Sequence, residues 1–155
     1  MKMLFPMQLQ YFAQAGLLGK KLVIAITDSD GRVLQKSPEI LKWSEEEISS
    51  DEKKYPIGEE EEFRQVIQQG WKGSISGQDT NGAYDDIVDA KIKYQEETGD
   101  TLEFVIFTTR TYRDGTVKKY KFTGVTFDGY KADVDGNNKP VNNSINWQAT
   151  KRIPI

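Results

Sequence analysis

The chain has 155 residues, a formal net charge of −3, 37% hydrophobic and 29% charged residues, and neither cysteine nor histidine. That length suits one domain with an ordinary core, burying roughly 70% of its unfolded surface. The missing residue types exclude disulfides, thiolate and imidazole metal sites, Ser-His triads and imidazole acid–base catalysis.

Residues 1–20 read as an apolar, Gln-containing N-terminal arm ending in Gly16 and Gly19. Lys2, the apolar stretch and Ala13-Gln14-Ala15 mimic a secretory signal, but Pro6, Gln8 and Gln10 interrupt the apolar part. Met7-Gln8-Leu9-Gln10-Tyr11 alternates, as a strand added to a partner does. No run approaches the ~18 apolar residues that a membrane span needs. Residues 21–155 are expected to form a single β-sandwich domain. In Lys21–Thr27, Leu22, Ile24 and Ile26 share one face. Asp30-Gly31 is a turn dipeptide and Arg32–Leu34 resumes extended structure, which predicts a first hairpin.

From Glu39 to Glu62 there are ten acidic and three basic residues, a local balance of −7 in a chain of −3. With Pro56 and Gly58 as punctuation, this predicts a long acidic loop over about 39–62, with an extended or hairpin portion around Lys53–Ile57. Phe63–Gln69 fits a short helix or a strand equally well. Trp71 and Ile75 share a strand face, and Gly73 and Gly77 point to close backbone approach or a bulge.

Ala83–Thr98 is the one convincing helix, with Tyr84, Ile87, Val88, Lys91 and Tyr94 in a stripe. Asn81 is placed to cap it, Asp85 and Asp86 suit its positive start, and Gly99 suits its end. Leu102–Phe107 is a strand with apolar residues in both phases, and Asp114-Gly115 marks a hairpin tip. In the long extended run Lys118–Val134, Tyr120 and Phe122 share a phase and Val125 and Phe127 take the opposite one. This predicts a β-bulge at Gly124, and the phase shifts again at Gly129. Asp135–Pro140 is a loop. Ile145, Trp147 and Ala149 form the inward face of a last strand.

Candidate chemistry is thin. Asp28-Ser29-Asp30-Gly31 and Asp133-Val134-Asp135-Gly136 open like calcium loops but lack the sixth-position Gly and the distal Glu, so turn geometry explains both. The runs Glu45–Glu47 and Glu59–Glu62 do not specify two carboxyls facing across a cleft. Trp71, Trp147, Tyr84, Tyr112 and Tyr130 are candidates for a stacking platform, although Trp71 and Trp147 sit in core phases. Basic residues such as Lys118, Lys119 and Lys121 are too sparse for a nucleic-acid reader. No nucleophile–base pair is visible, so an enzyme is not expected, nor is a cofactor or metal.

The run Gln65–Gly77, containing Gly70-Trp71-Lys72-Gly73-Ser74-Ile75, resembles the strand-and-glycine segment of bacteriophage tail tube (major tail) proteins. The helix ending near Gly99, the strand, the hairpin, Phe122-Thr123-Gly124-Val125-Thr126-Phe127 and the last strand through Trp147 follow in that family's order. Met7-Gln8-Leu9-Gln10-Tyr11-Phe12-Ala13 is similar to the beginnings of structural proteins from phages of Gram-positive bacteria.

The resemblance implies a mainly β fold with one helix, a β-sandwich or half-barrel of the tail tube type. It also implies six copies per ring, rings stacked into a tube that conducts DNA without binding it, and an acidic lumen. The implied partners are the chain itself and other tail proteins: tape measure, terminator, baseplate and, in a contractile tail, the sheath. The implied location is the virion tail of a phage or prophage-derived particle, with assembly in the host cytoplasm. On this reading the inter-ring contacts are Leu4, Leu9, Tyr11, Phe12, Trp43, Glu45, Glu46, Glu47, Tyr55 and Ile57. The strands that close the sheet between subunits carry Val105, Phe107, Tyr120, Phe122, Val125 and Phe127. Another head–tail or tail morphogenesis part, such as a terminator or connector, and a carbohydrate-binding β-sandwich using Tyr112 and Tyr130 stand as alternatives.

Overall fold

The computed structural model describes residues 21–32, 34, 38–54, 57–58 and 63–155. Among these, the order is β1 (Lys21–Asp28), β2 (Lys42–Lys54), β3 (Phe63–Gln78), α1 (Ala83–Thr98), β4 (Phe104–Thr111), β5 (Val117–Val134), β6 (Val141–Ala149) and β7 (Lys151–Pro154). The strands pair antiparallel in the order β1-β4-β5-β6-β3-β2, with β7 also on β5. The first half of β5 pairs with β4 on one edge and β7 on the other, and its second half pairs with β6. Thr126↔Gln148 and Thr123↔Lys151 keep one register, so β6 and β7 run along β5 as one strand broken at Thr150. The sheet folds over on itself at this spine. Sheet A holds β1, β4, the first half of β5 and β7; sheet B holds the second half of β5, β6, β3 and β2.

Two glycines make the fold-over possible. At Gly124 (φ +64°) the register slips opposite Phe104 and Ile106, and at Gly129 (φ +62°) it slips between Asp128 and Lys131. Each slip is a bulge, which bends and twists the strand. The first one turns both Phe122 and Val125 inward, and both are fully buried. That is the physical content of the phase switch in the sequence.

The core lies between the two layers. Trp147 stacks on Trp43 at 4.9 Å and 17°, while Phe122 meets Trp147 edge-on at 5.0 Å. Gly73 leaves room for this stack. A Cβ there would stand 1.9 Å from the Ser44 carbonyl oxygen and 2.8 Å from the Trp147 ring. The helix closes one end: Tyr84 and Ile87 are buried, the Tyr84 hydroxyl donates to the Glu39 carbonyl at 2.6 Å, and Lys91 Nζ donates to the Phe127 carbonyl at 2.9 Å. Asn81 accepts from the Ala83 amide at 3.1 Å, and the Gly99 amide (φ +76°) donates to Gln95 at 2.9 Å. The hydrophobic stripe fades along α1, so Tyr94 is exposed.

Three expectations are corrected. The Asp28–Arg32 turn forms, held by Asp28 Oδ1 accepting from the amides of Asp30 and Arg32, but the partner of β1 is β4, not Arg32–Leu34. Residues 42–54, expected within a loop, are a strand, and Phe63–Gln69, which fits a helix or a strand by sequence, joins the strand that follows it. The chain also does not end at the strand through Trp147, because β7 continues it.

Candidate assembly surfaces

The sequence-nominated residues divide by face. Trp43 and Glu45 point inward from β2, whereas Glu46 and Glu47 are exposed and Ile57 sits fully exposed in a turn. Leu4, Leu9, Tyr11, Phe12 and Tyr55 lie outside the described residues. The Glu45 carboxylate accepts a hydrogen bond from Arg110 of β4. Its other oxygen is buried without a hydrogen bond, 3.8 Å from the Arg152 guanidinium of β7. Arg152 is itself held between the rings of Trp71, 4.0 Å away, and Tyr120, 4.1 Å away. The pKa of Arg110 is pushed up by its hydrogen bond to Tyr112 and by Glu45, against the opposing effect of burial. This cluster ties β2 of sheet B to β4 and β7 of sheet A. The sequence gives no local signal for Arg110 or Arg152, since both meet Glu45 only through the fold.

The closure residues also change role. Phe122, Val125 and Phe127 are core, and Tyr120 packs against that core. Val105 and Phe107 are half-buried on the outer face of sheet A. β4 is paired on both edges, and so is the first half of β5. Among the described residues, the unpaired edges belong to β1, β2, β7, β3 before Trp71 and β5 beyond Phe127. Lys91 blocks the first free carbonyl of that β5 edge.

Where its four strands pair, sheet B is polar across its outer face. Successive cross-strand rows read Glu46–Lys72–Gln148–Thr126, Ser44–Ser74–Asn146–Asp128 and Lys42–Ser76–Ser144–Lys131, then Gln78–Asn142–Asp133. No apolar side chain interrupts them, and three lysines balance three carboxylates. The Ser44 and Ser74 hydroxyls bond across the strands at 2.9 Å. On the inner face the same strands carry Ile75, Ile145, Trp147 and the buried Asn143, which donates to Asp79 at 2.7 Å. The two-residue period through Ile145 and Trp147 already contained Asn143.

β2 and β3 reach beyond this sheet. β6 pairs with β3 only from Trp71 onward, so residues 48–54 and 63–70 pair only with each other. The result is a two-stranded arm with Arg64–Asp51 at 2.7 Å on its surface. Such a ribbon is marginal alone and gains stability from a covering surface.

The stacking platform does not assemble. Trp71 and Trp147 are buried, and the Tyr130 hydroxyl is tied to Asp85, its pKa pushed up to about 12 by burial and by that carboxylate. Tyr112 is left exposed beside the Asp114-Gly115 tip.

No protein-family model matches the sequence, and no curated protein matches it. Solved structures match the fold. One is a chain in the cryo-EM structure of an extracellular contractile injection system, the PVC sheath/tube terminator in its extended state. It is 10% identical, covers 88% of this chain and 94% of its own length, and has a TM-score of 0.63. Another is a chain in the cryo-EM structure of the anti-feeding prophage (AFP) baseplate, 6-fold symmetrised. It is 8% identical, covers 87% and 92%, and has a TM-score of 0.53. The mainly β fold with one helix is therefore one that this chain shares with those assembly proteins. At these identities the likeness establishes the fold.

Proposed function

We propose that this chain is a structural subunit, not an enzyme, of a tail-type tube in a phage or phage-like injection particle. Six copies close into a ring with sheet B facing the lumen. The single observation that carries this reading is the geometry of sheet B, which has two open edges and, where its four strands pair, an outer face without one apolar side chain. Its four strands alternate in direction, so β2 and β5 run antiparallel to each other. Copies related by rotation then meet with β2 beside the β5 segment 128–134 of the neighbour, still antiparallel. Pairing them removes edges that otherwise template uncontrolled association.

The β2–β3 arm, with Glu47 at its base and Ile57 at its turn, contacts the next ring, and residues 3–12 supply a second contact. The lumen wall is balanced in charge rather than acidic. It offers phosphate no net cation to displace counterions, so DNA passes without being held. A related reading is the ring that ends a tube, favoured by the fold match to a chain in a sheath/tube terminator structure. A ring that closes but never stacks selects it.

The natural absence of cysteine makes the test direct. One cysteine replaces Lys42, Ser44 or Glu46 and a second replaces Asp128, Lys131 or Asp133, in all nine combinations of those two sets. Oxidation of concentrated protein should give, for at least one pairing, a ladder that ends at six. Monomer in every pairing contradicts the closure.

A further inference from the structure

The outer face of sheet A is the opposite of the sheet B face. Its rows read Ala25–Phe107–Lys121–Ile153 and Val23–Thr109–Lys119, and Lys151 stands beside Thr123. Val23 and Ile153 are exposed at 47% and 40%, and Lys121 Nζ lies 5.8 Å from the centre of the Phe107 ring. The rows place an apolar strip among three lysines and contain no carboxylate, in a chain whose net charge is −3. No other element covers this face among the described residues.

We propose that this face docks an acidic polypeptide surface of a different protein. The lysines select negative charge, and the strip of Val23, Phe107 and Ile153 selects apolar side chains between those charges. Protein is favoured over nucleic acid because three lysines around an aliphatic strip offer few phosphate contacts and no exposed aromatic stack. The docking stands on this face alone. The placement of the partner outside the tube rests on the ring reading: sheets A and B are opposite layers, so a ring with sheet B inward turns sheet A outward.

The test uses full-length protein and poly-L-glutamate as the probe, followed by fluorescence anisotropy at low salt, with negative-stain microscopy of the same samples. Poly-L-glutamate should bind the wild type despite its net negative charge. Lys119→Glu/Lys121→Glu/Lys151→Glu should weaken binding at least tenfold, and Lys93→Glu/Lys139→Glu should leave it within twofold. The corresponding triple Gln variant replaces the triple Glu variant if the latter is unfolded by circular dichroism, with a loss of at least fivefold expected. Absent binding, equal loss in the control variant, or tighter binding of a 20-nucleotide single strand overturns the docking. Poly-L-glutamate binding by protein that forms no rings supports the docking while contradicting the ring.

Discussion

Sheets A and B share one core and one spine strand yet show water two different surfaces. Sheet B is built from long strands, with serine, asparagine, glutamine and balanced charge outward and both edges open. Sheet A is shorter, with lysines around an apolar strip outward and with β1 and the four-residue β7 as its edges. Burial alone does not explain the contrast, because both inner faces contribute apolar side chains to the one core. A polar face with two open edges suits repetition of the same subunit around a water-filled bore. A mixed apolar and basic face suits a different partner. On the proposed reading, the two layers divide assembly between self and non-self.

The largest effect expected from breaking that division is at the arm. Replacing residues 49–69 by an Asn-Gly turn removes only the ribbon beyond sheet B. Tubes should disappear in electron microscopy while Tm falls by no more than a few degrees. Deleting 42–61 instead also removes Trp43 and Glu45 from the interior, and should unfold the chain. Next in size is Gly73→Ala, which forces a Cβ against the Ser44 carbonyl and the Trp147 ring. It should cost about 3 kcal/mol in denaturant unfolding, since overpacking without relief costs about that much.

Glu45→Gln tests the clamp between the sheets. Two guanidiniums would lose their shared carboxylate in a partly buried site, with an expected cost of about 2 kcal/mol by the same measurement. The smallest effect is at Tyr84. Burial first, then Asp79 and Glu39, push its pKa up to about 12. The folded state therefore favours the neutral phenol. That contribution is fully present below the ordinary tyrosine pKa of about 10 and is lost as pH rises through about 12. Tyr84→Phe should cost about 1 kcal/mol at pH 7 through the lost bond to Glu39, and should flatten the stability loss between about pH 10 and 12.

Much of this architecture was legible wherever local chemistry dictates backbone shape. Gly124 and Gly129 sit at phase breaks because only a bulge reconciles Phe122 with Val125, and both bulges form. Gly99 ends the helix, Asp114-Gly115 makes its turn, and the period of β6 names its buried residues. The acid-rich stretch misled because its charge read as loop. β2 tolerates acids since Glu46 and Glu47 face water and Glu45 finds two arginines from distant strands. Neither the edge status of a strand nor the pairing of Arg152 with Trp71 and Tyr120 has a local signature. Apolarity therefore points to β4 and the first half of β5 as closing strands, whereas both are paired on each side inside the subunit.

Cryo-EM of the concentrated protein tests the ring most directly. The density should show six copies, sheet B facing a central bore and β2 hydrogen-bonded to β5 residues 128–134 of the adjacent copy. A ring with sheet A inward, or particles in which the edges of sheet B remain unpaired, would contradict it.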